Sequence, residues 1–342
     1  MVGAPERILV RLPNWLGDVL MARPLLFALR ARLPGVELRC VGPAGPLALL
    51  RGDAVAATLL DWSADVRARA DLLAAVRAWR PDLALVLPPS FSSAWFAWRS
   101  GARARIGYRG DARAFLLTRA PRRPARGDRH LAGEYLDLAA GLGVPPGIEV
   151  PPALRVPAAA GGEGGGAALP GPARSGSAPF ALLGPGAAYG PAKRWAPERF
   201  AAVGRALAAR GLAVLTVGTA AERGACEEVA ARIGAGAGSL AGRTRIDELA
   251  ALAARAAVAV CNDSGLAHLC AAAGAPTVTV FGSTSSAWTA PLGPRVRVVQ
   301  RPPVCSPCFR RTCRIGYGCL EAVTAGDVLA ACDGLLAGRE AA

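Results

Sequence analysis

Residues 262–268 (NDSGLAH) place polar and ionisable side chains between two apolar runs. Residues 256–261 favour a buried parallel strand, and residues 266–273 favour a helix. Such a strand-to-helix turn directs backbone N–H groups and the positive end of the helix dipole at whatever lies in front of it. Ser264 and His268 are four residues apart and therefore share one helix face. This turn is predicted to bind an anion, and a sugar diphosphate would suit it.

A second candidate anion site is the glycine-rich segment 184–195 (GPGAAYGPAKRW), between an apolar strand at 180–183 and a helix at 197–210. Glycines let the backbone approach a phosphate, and Lys193, the chain's only lysine, would neutralise charge on a leaving group. A solvated Lys193–Arg194 pair is the alternative, which the uncharged remainder of the segment disfavours. Neither GxxxxGK[ST] nor GxGxxG is present, so a P-loop enzyme and a dinucleotide oxidoreductase are not supported.

Asp18 has a comparable position near the N-terminus. It follows a short strand at 8–11 and a turn at 13–17, and it begins a predicted helix over 18–32. In open α/β sheets ligands bind beyond the carboxyl ends of the strands, where Asp18 is expected to lie. A carboxylate there can act as a general base, but it can also simply cap the helix, and the residues alone leave both roles open.

Strands alternate with helical stretches along the chain, which predicts βαβ units and parallel sheets. At 342 residues the chain is long for one core, so two α/β domains are expected. The composition shifts to Pro, Gly, Ala and Ser over 156–178, which predicts a linker or a disordered loop. The predicted domains are therefore 1–155 and 179–342, and a last helix over 325–336 packs on one of them.

The net charge of +15 at pH 7 predicts anionic partners, and the 52% hydrophobic content predicts a folded protein. Between residues 99 and 129 there are ten arginines and only two acids, with aromatic residues interleaved. This pattern fits an acidic glycolipid, a membrane surface or nucleic acid. We favour the acidic acceptor, because no known RNA- or DNA-binding module accompanies the arginines.

The sequence also predicts a compartment. The N-terminus runs directly into a strand without a secretory signal, and nine cysteines then indicate reduced thiols in the cytoplasm. Residues 264–294 are uncharged, but glycines and prolines interrupt them, so we predict a strand–helix–strand core there rather than a membrane span.

Four cysteines, Cys305, Cys308, Cys313 and Cys319, lie within fifteen residues. They could hold a structural zinc ion or an iron–sulfur cluster, although free thiols in a loop are as good an interpretation. Elemental analysis of anaerobically purified protein tests this hypothesis. His130 is predicted to be a surface or packing residue rather than a ligand.

Several motifs in the right order resemble those of glycosyltransferase family 9, whose members include the ADP-heptose:lipopolysaccharide heptosyltransferases. The motifs are 13–18 (PNWLGD), 87–94 (LPPSFSSA), 107–110 (GYRG), 184–195, 240–244 (LAGRT) and 262–268. The resemblance is closest to the members that add the second heptose of the lipopolysaccharide inner core.

The resemblance implies a GT-B fold, in which two Rossmann-like domains with parallel sheets face a central cleft. The N-terminal domain would bind the acceptor and the C-terminal domain the donor. The implied reaction is inverting transfer of heptose from ADP-L-glycero-D-manno-heptose to the first heptose on Kdo2-lipid A, with no metal or other cofactor. The implied location is peripheral, on the cytoplasmic face of the inner membrane, with no nucleic-acid partner.

The resemblance also implies roles for particular residues. Asp18 would be the general base, and Lys193 would stabilise the departing ADP. The implied donor-binding residues are Gly17, Gly186, Lys193, Glu222, Asp263, Ser264, Gly265 and His268. The implied acceptor-binding residues are Asn14, Trp15, Ser90 and Arg109. Ala187 and Ala188 stand where some relatives carry hydroxyl groups, so this loop would contact phosphate through its backbone.

Three alternatives stay open at this point. One is another family 9 transferase with a different acceptor, including one that adds the first heptose. Another is a basic binding protein that keeps the fold without catalysis, which the joint presence of Asp18, Lys193 and His268 disfavours. The third is RNA binding, which salt-sensitive RNA affinity would reveal.

Overall fold

The computed structural model describes residues 5–155 and 179–340. The chain forms two compact units, Met1–Pro151 and Pro152–Ala342. The predicted linker at 156–178 lies outside the described residues.

Unit 1 is built on a five-stranded parallel sheet with the strand order β3-β2-β1-β4-β5. The central strand β1 is buried beyond its first residue, as expected for a strand with helices on both faces. Its strands are β1 (Arg7–Arg11), β2 (Glu37–Gly42), β3 (Thr58–Asp61), β4 (Leu83–Val86) and β5 (Ala104–Ile106). Its helices are α1 (Leu16–Met21), α2 (Arg23–Arg32), α3 (Ala44–Leu50), α4 (Val66–Trp79), α5 (Phe91–Arg99) and α6 (Leu131–Leu138).

Unit 2 is built on a six-stranded parallel sheet. Its strands are β6 (Phe180–Gly184), β7 (Ala213–Thr216), β8 (Ala237–Ser239), β9 (Val258–Asn262), β10 (Thr277–Phe281) and β11 (Val296–Gln300). Its helices are α7 (Pro197–Ala209), α8 (Arg223–Ile233), α9 (Ile246–Arg255), α10 (Gly265–Ala272), α11 (Ser286–Thr289), α12 (Gly318–Glu321) and α13 (Ala325–Glu340). The strand order is β11-β10-β9-β6-β7-β8.

Both sheets repeat one topology, in which the first strand of the unit lies in the interior and later strands add on either side. The order reverses between β1 and β4 in unit 1 and between β6 and β9 in unit 2. Ligands of open α/β sheets bind outside the carboxyl ends of the strands at such a reversal. The topology therefore marks one candidate binding edge in each unit.

The last helix, which the sequence left unassigned, packs on unit 2. Val328, Cys332 and Leu335 of α13 are buried in the same hydrophobic cluster as Phe200 of α7 and Val280 of β10. The helix is longer than predicted and continues to Glu340.

The helix predicted over 18–32 is wrong in one respect, because two helices separated by Ala22 occupy this stretch. Pro24 lies in the first turn of α2. A proline there is tolerated because its missing N–H would have no partner within the helix, but inside a continuous helix it would remove a hydrogen bond. Within residues 5–155 and 179–340, no helix is both long and apolar enough to cross a membrane.

Candidate active site

Two of the predicted anion-binding segments meet at the strand reversal of unit 2. The segment 184–195 leaves β6 and the turn 262–268 leaves β9, and Gly184 pairs with Cys261 where the two strands end side by side. Long runs of sequence separate these motifs, but the sheet brings them together as the strand pattern predicts.

Asn262 joins the two ends of the 184–195 segment. This fully buried side chain donates a hydrogen bond from Nδ2 to the carbonyl of Pro185 at 2.7 Å, and its Oδ1 accepts one from the backbone N–H of Trp195 at 3.0 Å. Trp195 is itself buried, and its indole N–H donates to the carbonyl of Val323. The loop that carries Lys193 is thus held at both ends by one amide from the neighbouring strand.

Replacing Asn262 by Ala is expected to lower the free energy of unfolding by about 2–4 kcal/mol. The change leaves a buried carbonyl and a buried N–H without their partner, and each such group costs about 1–3 kcal/mol. Denaturant unfolding followed by tryptophan fluorescence measures the loss. A loss of unfolding free energy below about 0.5 kcal/mol, as for ordinary surface substitutions, would show that these two hydrogen bonds of Asn262 do not stabilise the fold.

Lys193, Asp263 and Thr284 form a polar cluster at this edge. Lys193 Nζ lies 2.6 Å from Asp263 Oδ2, and the hydroxyl of Thr284 donates a hydrogen bond to the same oxygen. The side chains of Lys193 and Asp263 are only 14% and 3% exposed, so this ion pair is well shielded from water. Lys193 Nζ also lies 4.9 Å from the centroid of the Tyr189 ring. The cluster offers a cation, a carboxylate and a hydroxyl to one ligand.

The tip of α10 completes this edge. Ser264 is the N-cap residue in an extended conformation, and its side chain makes no capping hydrogen bond. Gly265 begins the helix, and His268 lies one turn further, 5% exposed. The backbone N–H groups of the first turn and the helix dipole therefore face the same edge as Lys193, which is the arrangement that binds phosphate.

Glu222 lies against the backbone of the 184–195 segment. Its Oε2 accepts hydrogen bonds from the backbone N–H and the hydroxyl of Thr219, both at 2.9 Å. A Cβ atom added to Gly186 would lie 2.3 Å from Glu222 Oε1, so a larger residue at this position would displace the Glu222 carboxylate. The structure thus places Glu222 beside Gly186, as the predicted donor site requires, and gives it a second role as the cap of a short turn.

A loop that contains the cysteines braces the Lys193 segment. In this cysteine loop (residues 301–319), the carbonyl of Arg311 accepts a hydrogen bond from the N–H of Ala192 at 3.0 Å, and the carbonyl of Phe309 accepts one from the hydroxyl of Tyr189. Gly190 has φ +144°, and a Cβ there would lie 2.8 Å from the Arg311 carbonyl. These contacts hold the turn immediately before Lys193.

The predicted metal site is not assembled in the structure. Cys305, Cys308, Cys313 and Cys319 line one cavity of about 120 Å³. In the part of the chain that the structure describes, however, no group of three or more His, Cys, Asp or Glu side chains is placed to hold a metal ion. All nine cysteines are free thiols. The metal hypothesis receives no support from this geometry.

Asp18 lies at the strand reversal of unit 1, in the first turn of α1 and directly beyond β1. The N-cap position belongs to Trp15, so Asp18 is the acidic residue of the first turn of α1 and not its N-cap residue. Burial, together with the negative charge of Asp18, raises the pKa of Tyr135 well above its ordinary value. Asp18 is thus a half-buried carboxylate whose neighbour Tyr135 stays protonated at neutral pH.

Asn14 and Trp15 lie just before Asp18, in the turn that leads into α1. Trp15 is 61% exposed, and Asn14 Oδ1 accepts a hydrogen bond from Nη2 of Arg11 at 2.8 Å. The Arg11 guanidinium is buried over the ring of Trp62, and burial lowers its pKa to about 10. Arg11 therefore anchors the turn and leaves the indole of Trp15 open to a ligand.

Ser90 lies at the carboxyl end of β4, the neighbour of β1, and caps α5 by accepting from the N–H of Ser93. The buried Arg113 holds this turn in place. Its Nη1 donates to the carbonyl of Ser90 at 3.2 Å, and its Nη2 donates to the carbonyl of Tyr108 at 2.7 Å. Arg109, the arginine that was singled out from the sequence, is exposed beside this turn.

Sequence reasoning missed three residues that organise these edges: Thr284, Tyr135 and Arg113. Thr284 could have been suggested by its position shortly after β10. The carboxyl ends of parallel strands meet at one edge, so a hydroxyl there is a candidate for that edge. Arg113 was counted among the basic residues of a charged surface, but its side chain is buried and structural. His130 caps α6 by accepting a hydrogen bond from the N–H of Ala132 at 3.2 Å.

Comparison with known proteins agrees with this architecture. A model of glycosyltransferase family 9 (heptosyltransferase) matches residues 69–317. Lipopolysaccharide heptosyltransferase 2 of Escherichia coli K12 is 31% identical over 305 residues, which cover 86% of this chain and 88% of the relative. Lipooligosaccharide heptosyltransferase 2 of Haemophilus influenzae is 29% identical over 317 residues, again 86% of this chain and 88% of the relative.

Solved structures give the same result. The structure of E. coli ADP-heptose lipopolysaccharide heptosyltransferase II matches with a TM-score of 0.79 at 28% identity, over 98% of this chain and 99% of that chain. A family 9 glycosyltransferase from Veillonella parvula matches with a TM-score of 0.80 at 20% identity, over 97% of each chain, which shows a shared fold. The predicted GT-B class of two Rossmann-like units is confirmed.

Proposed function

The chain belongs to glycosyltransferase family 9, and on that premise we propose that it transfers a heptose from ADP-L-glycero-D-manno-heptose to the first heptose of the lipopolysaccharide inner core. The observation that carries the proposal is the edge of unit 2, where Lys193, Asp263 and the tip of α10 converge. Relatives that match over 86% of this chain are named lipopolysaccharide heptosyltransferase 2 and lipooligosaccharide heptosyltransferase 2. The reaction inverts the anomeric centre, because a deprotonated acceptor displaces ADP directly.

In the proposed donor site, the diphosphate lies against the N–H groups of Ser264 and Gly265 and against the ammonium of Lys193. Lys193 exchanges its ion pair with Asp263 for the phosphate, and Asp263 and His268 then bind hydroxyl groups of the heptose. The remaining proposed donor contacts are Gly17, Gly186 and Glu222. As ADP departs, the charge that develops on its terminal phosphate is stabilised by Lys193.

In the proposed acceptor site, Asp18 removes the proton from the attacking hydroxyl of the first heptose. Trp15 offers an exposed indole face to the sugar, and Asn14, Ser90 and Arg109 line the same edge of unit 1. Arg109 would meet the acidic groups of the Kdo2-lipid A acceptor. The acceptor is carried on a lipid, so we propose that the protein works peripherally on the cytoplasmic face of the inner membrane.

A donor and acceptor panel tests the proposal. ADP-heptose with a core acceptor that carries the first heptose is expected to give turnover. ADP-mannose and UDP or GDP sugars are expected to give about 5- to 150-fold less, because one mispaired polar contact costs about 1–3 kcal/mol. The assay contains EDTA, because the proposed site meets the diphosphate with Lys193 and backbone N–H groups. Release of the nucleoside diphosphate of each donor (ADP, UDP or GDP) is the measured quantity.

The acceptor half of the panel separates this function from its alternatives. Turnover on an acceptor that lacks the first heptose, equal to that on the heptosylated one, would assign another family 9 activity. Absence of ADP release with every pair would indicate a binding protein on the same fold.

A further inference from the structure

One face of α5 carries a row of exposed aromatic rings. Phe91, Trp95 and Trp98 follow at i, i+4 and i+7 and are 38%, 42% and 47% exposed. The rings contact one another, with centroids 6.1 Å apart for Phe91 and Trp95 and 4.9 Å apart for Trp95 and Trp98. Phe115, 75% exposed, extends this aromatic row at 6.3 Å from Phe91. The opposite face of α5 packs into the core of unit 1, so the row faces outward.

Exposed arginines lie at the C-terminal end of the aromatic row and in the segment that follows it. Arg99 follows Trp95 by four residues and so lies beside it on the helix surface, and the side chain of Arg103 just beyond the helix is 82% exposed. The other exposed arginines of the same stretch are Arg109, Arg119, Arg122 and Arg126. One of the two acids in this stretch, Asp111, accepts a hydrogen bond from the N–H of Phe91. The aromatic row is therefore bordered by Arg99 and Arg103 and precedes a segment rich in exposed arginines.

The row begins at the binding edge of unit 1. The first residue of α5 follows the carboxyl end of β4, which pairs with β1, the strand that leads to Trp15 and Asp18. A surface that holds a lipid layer here would bring a lipid-anchored sugar to the edge that carries the proposed base. This step rests on the proposed function.

We propose that the aromatic row, with Arg99 and Arg103, docks unit 1 onto an anionic phospholipid surface. Tryptophan and phenylalanine rings favour the boundary between headgroups and acyl chains, and nearby arginines are attracted to lipid phosphates. The row spans seven residues of helix, roughly 10 Å, which suits a helix that lies in this boundary. Pairing with a second copy of the chain is disfavoured, because it would bring two positive surfaces together.

Sedimentation of the full chain with vesicles tests the proposal, without donor or acceptor present. Binding is expected to vesicles of phosphatidylethanolamine and phosphatidylglycerol, to weaken with salt, and to fall at least about tenfold on phosphatidylcholine alone. The double variant W95A/W98A is expected to lose at least about tenfold in partitioning. The variant W95Y/W98Y keeps interfacial rings and is expected to retain most of the binding.

A charge variant and its control complete the design. R99E/R103E is expected to lower binding to anionic vesicles, whereas R297E, an exposed change on the edge strand β11 of unit 2, is expected to leave it unchanged. Circular dichroism and thermal unfolding confirm that each variant is folded. Equal binding of the wild-type chain and W95A/W98A, or a change only in oligomeric state or in RNA affinity, would overturn the proposal.

Activity assays keep this proposal separate from the proposed function. W95A/W98A is expected to match the wild type on a water-soluble, deacylated acceptor and to fall at least about tenfold on an acceptor embedded in vesicles. Loss on both acceptors would overturn membrane docking as the role of the row. Vesicle binding by a chain that transfers no heptose would overturn only the proposed function.

Discussion

Replacing Asp18 by Asn is expected to lower kcat for heptose transfer by about 10²–10⁴-fold, the usual contribution of a general base. The amide keeps the size and shape of the carboxylate, but it replaces one acceptor oxygen by an NH2 donor and cannot take up a proton. Asp18 lies in unit 1, whereas the residues of the polar cluster lie in unit 2. The dissociation constant for ADP-heptose, measured by calorimetry, is therefore expected to stay within about threefold of the wild-type value. Threefold is about 0.6 kcal/mol of binding free energy, which is the size of effect expected of a substitution outside the site.

The matched control is Asp61→Asn. Asp61 is the exposed last residue of β3, at the carboxyl end of the same sheet but away from the strand reversal. This change is expected to leave both kcat and donor affinity unchanged, because Asp61 lies outside the proposed site. Near wild-type turnover in Asp18→Asn would show that a group other than Asp18 deprotonates the acceptor.

The architecture could be predicted from sequence because its signals are local. Each of β1, β4, β6 and β9 is a short apolar run, and each is followed by glycine or polar residues that begin a helix. The alternation of such runs with helical stretches is typical of parallel sheets, and the strand order then places the following turns at one edge. The helix predicted over 18–32 shows the limit of such local signals. Apolar spacing alone does not reveal that one helix ends before Ala22 and that a second begins with Pro24 in its first turn.

Contacts between distant residues could not be predicted in the same way. Asn262 lies in a polar motif that indicated a ligand, but its side chain clamps Trp195, which is 67 residues away in sequence. Arg113 was one of ten arginines in a basic stretch, and only the fold shows that it is buried against the carbonyls of two turns. Side-chain type and spacing thus predicted which residues meet at the edges. The residues that hold them in place depend on tertiary packing and could not be predicted.

Replacing Lys193 by Ala is expected to lower kcat by about 10²–10³-fold, the range observed when one group that stabilises developing charge is removed. The Michaelis constant for ADP-heptose should rise less than kcat falls, because the charge that Lys193 neutralises grows as ADP departs. Lys193→Arg is expected to recover only part of the activity. A planar guanidinium is larger and spreads its charge, so it does not place a point charge where the compact ammonium lies, 2.6 Å from Asp263 and 4.9 Å from the Tyr189 ring centroid.

The control separates leaving-group stabilisation from loss of positive charge in general. Arg210, at the C-terminal end of α7, pairs with Asp333 at the opposite edge of unit 2, so Arg210→Ala is expected to leave kcat unchanged. The ion pair with Asp263 also predicts that Lys193→Ala alters stability, because a buried carboxylate then keeps only the hydroxyl of Thr284 among these partners. Steady-state kinetics are therefore measured well below the midpoint of thermal unfolding. If kcat stayed constant while the Michaelis constant alone rose, Lys193 would bind the donor without assisting its departure, and the charge on ADP would have to be met by the tip of α10.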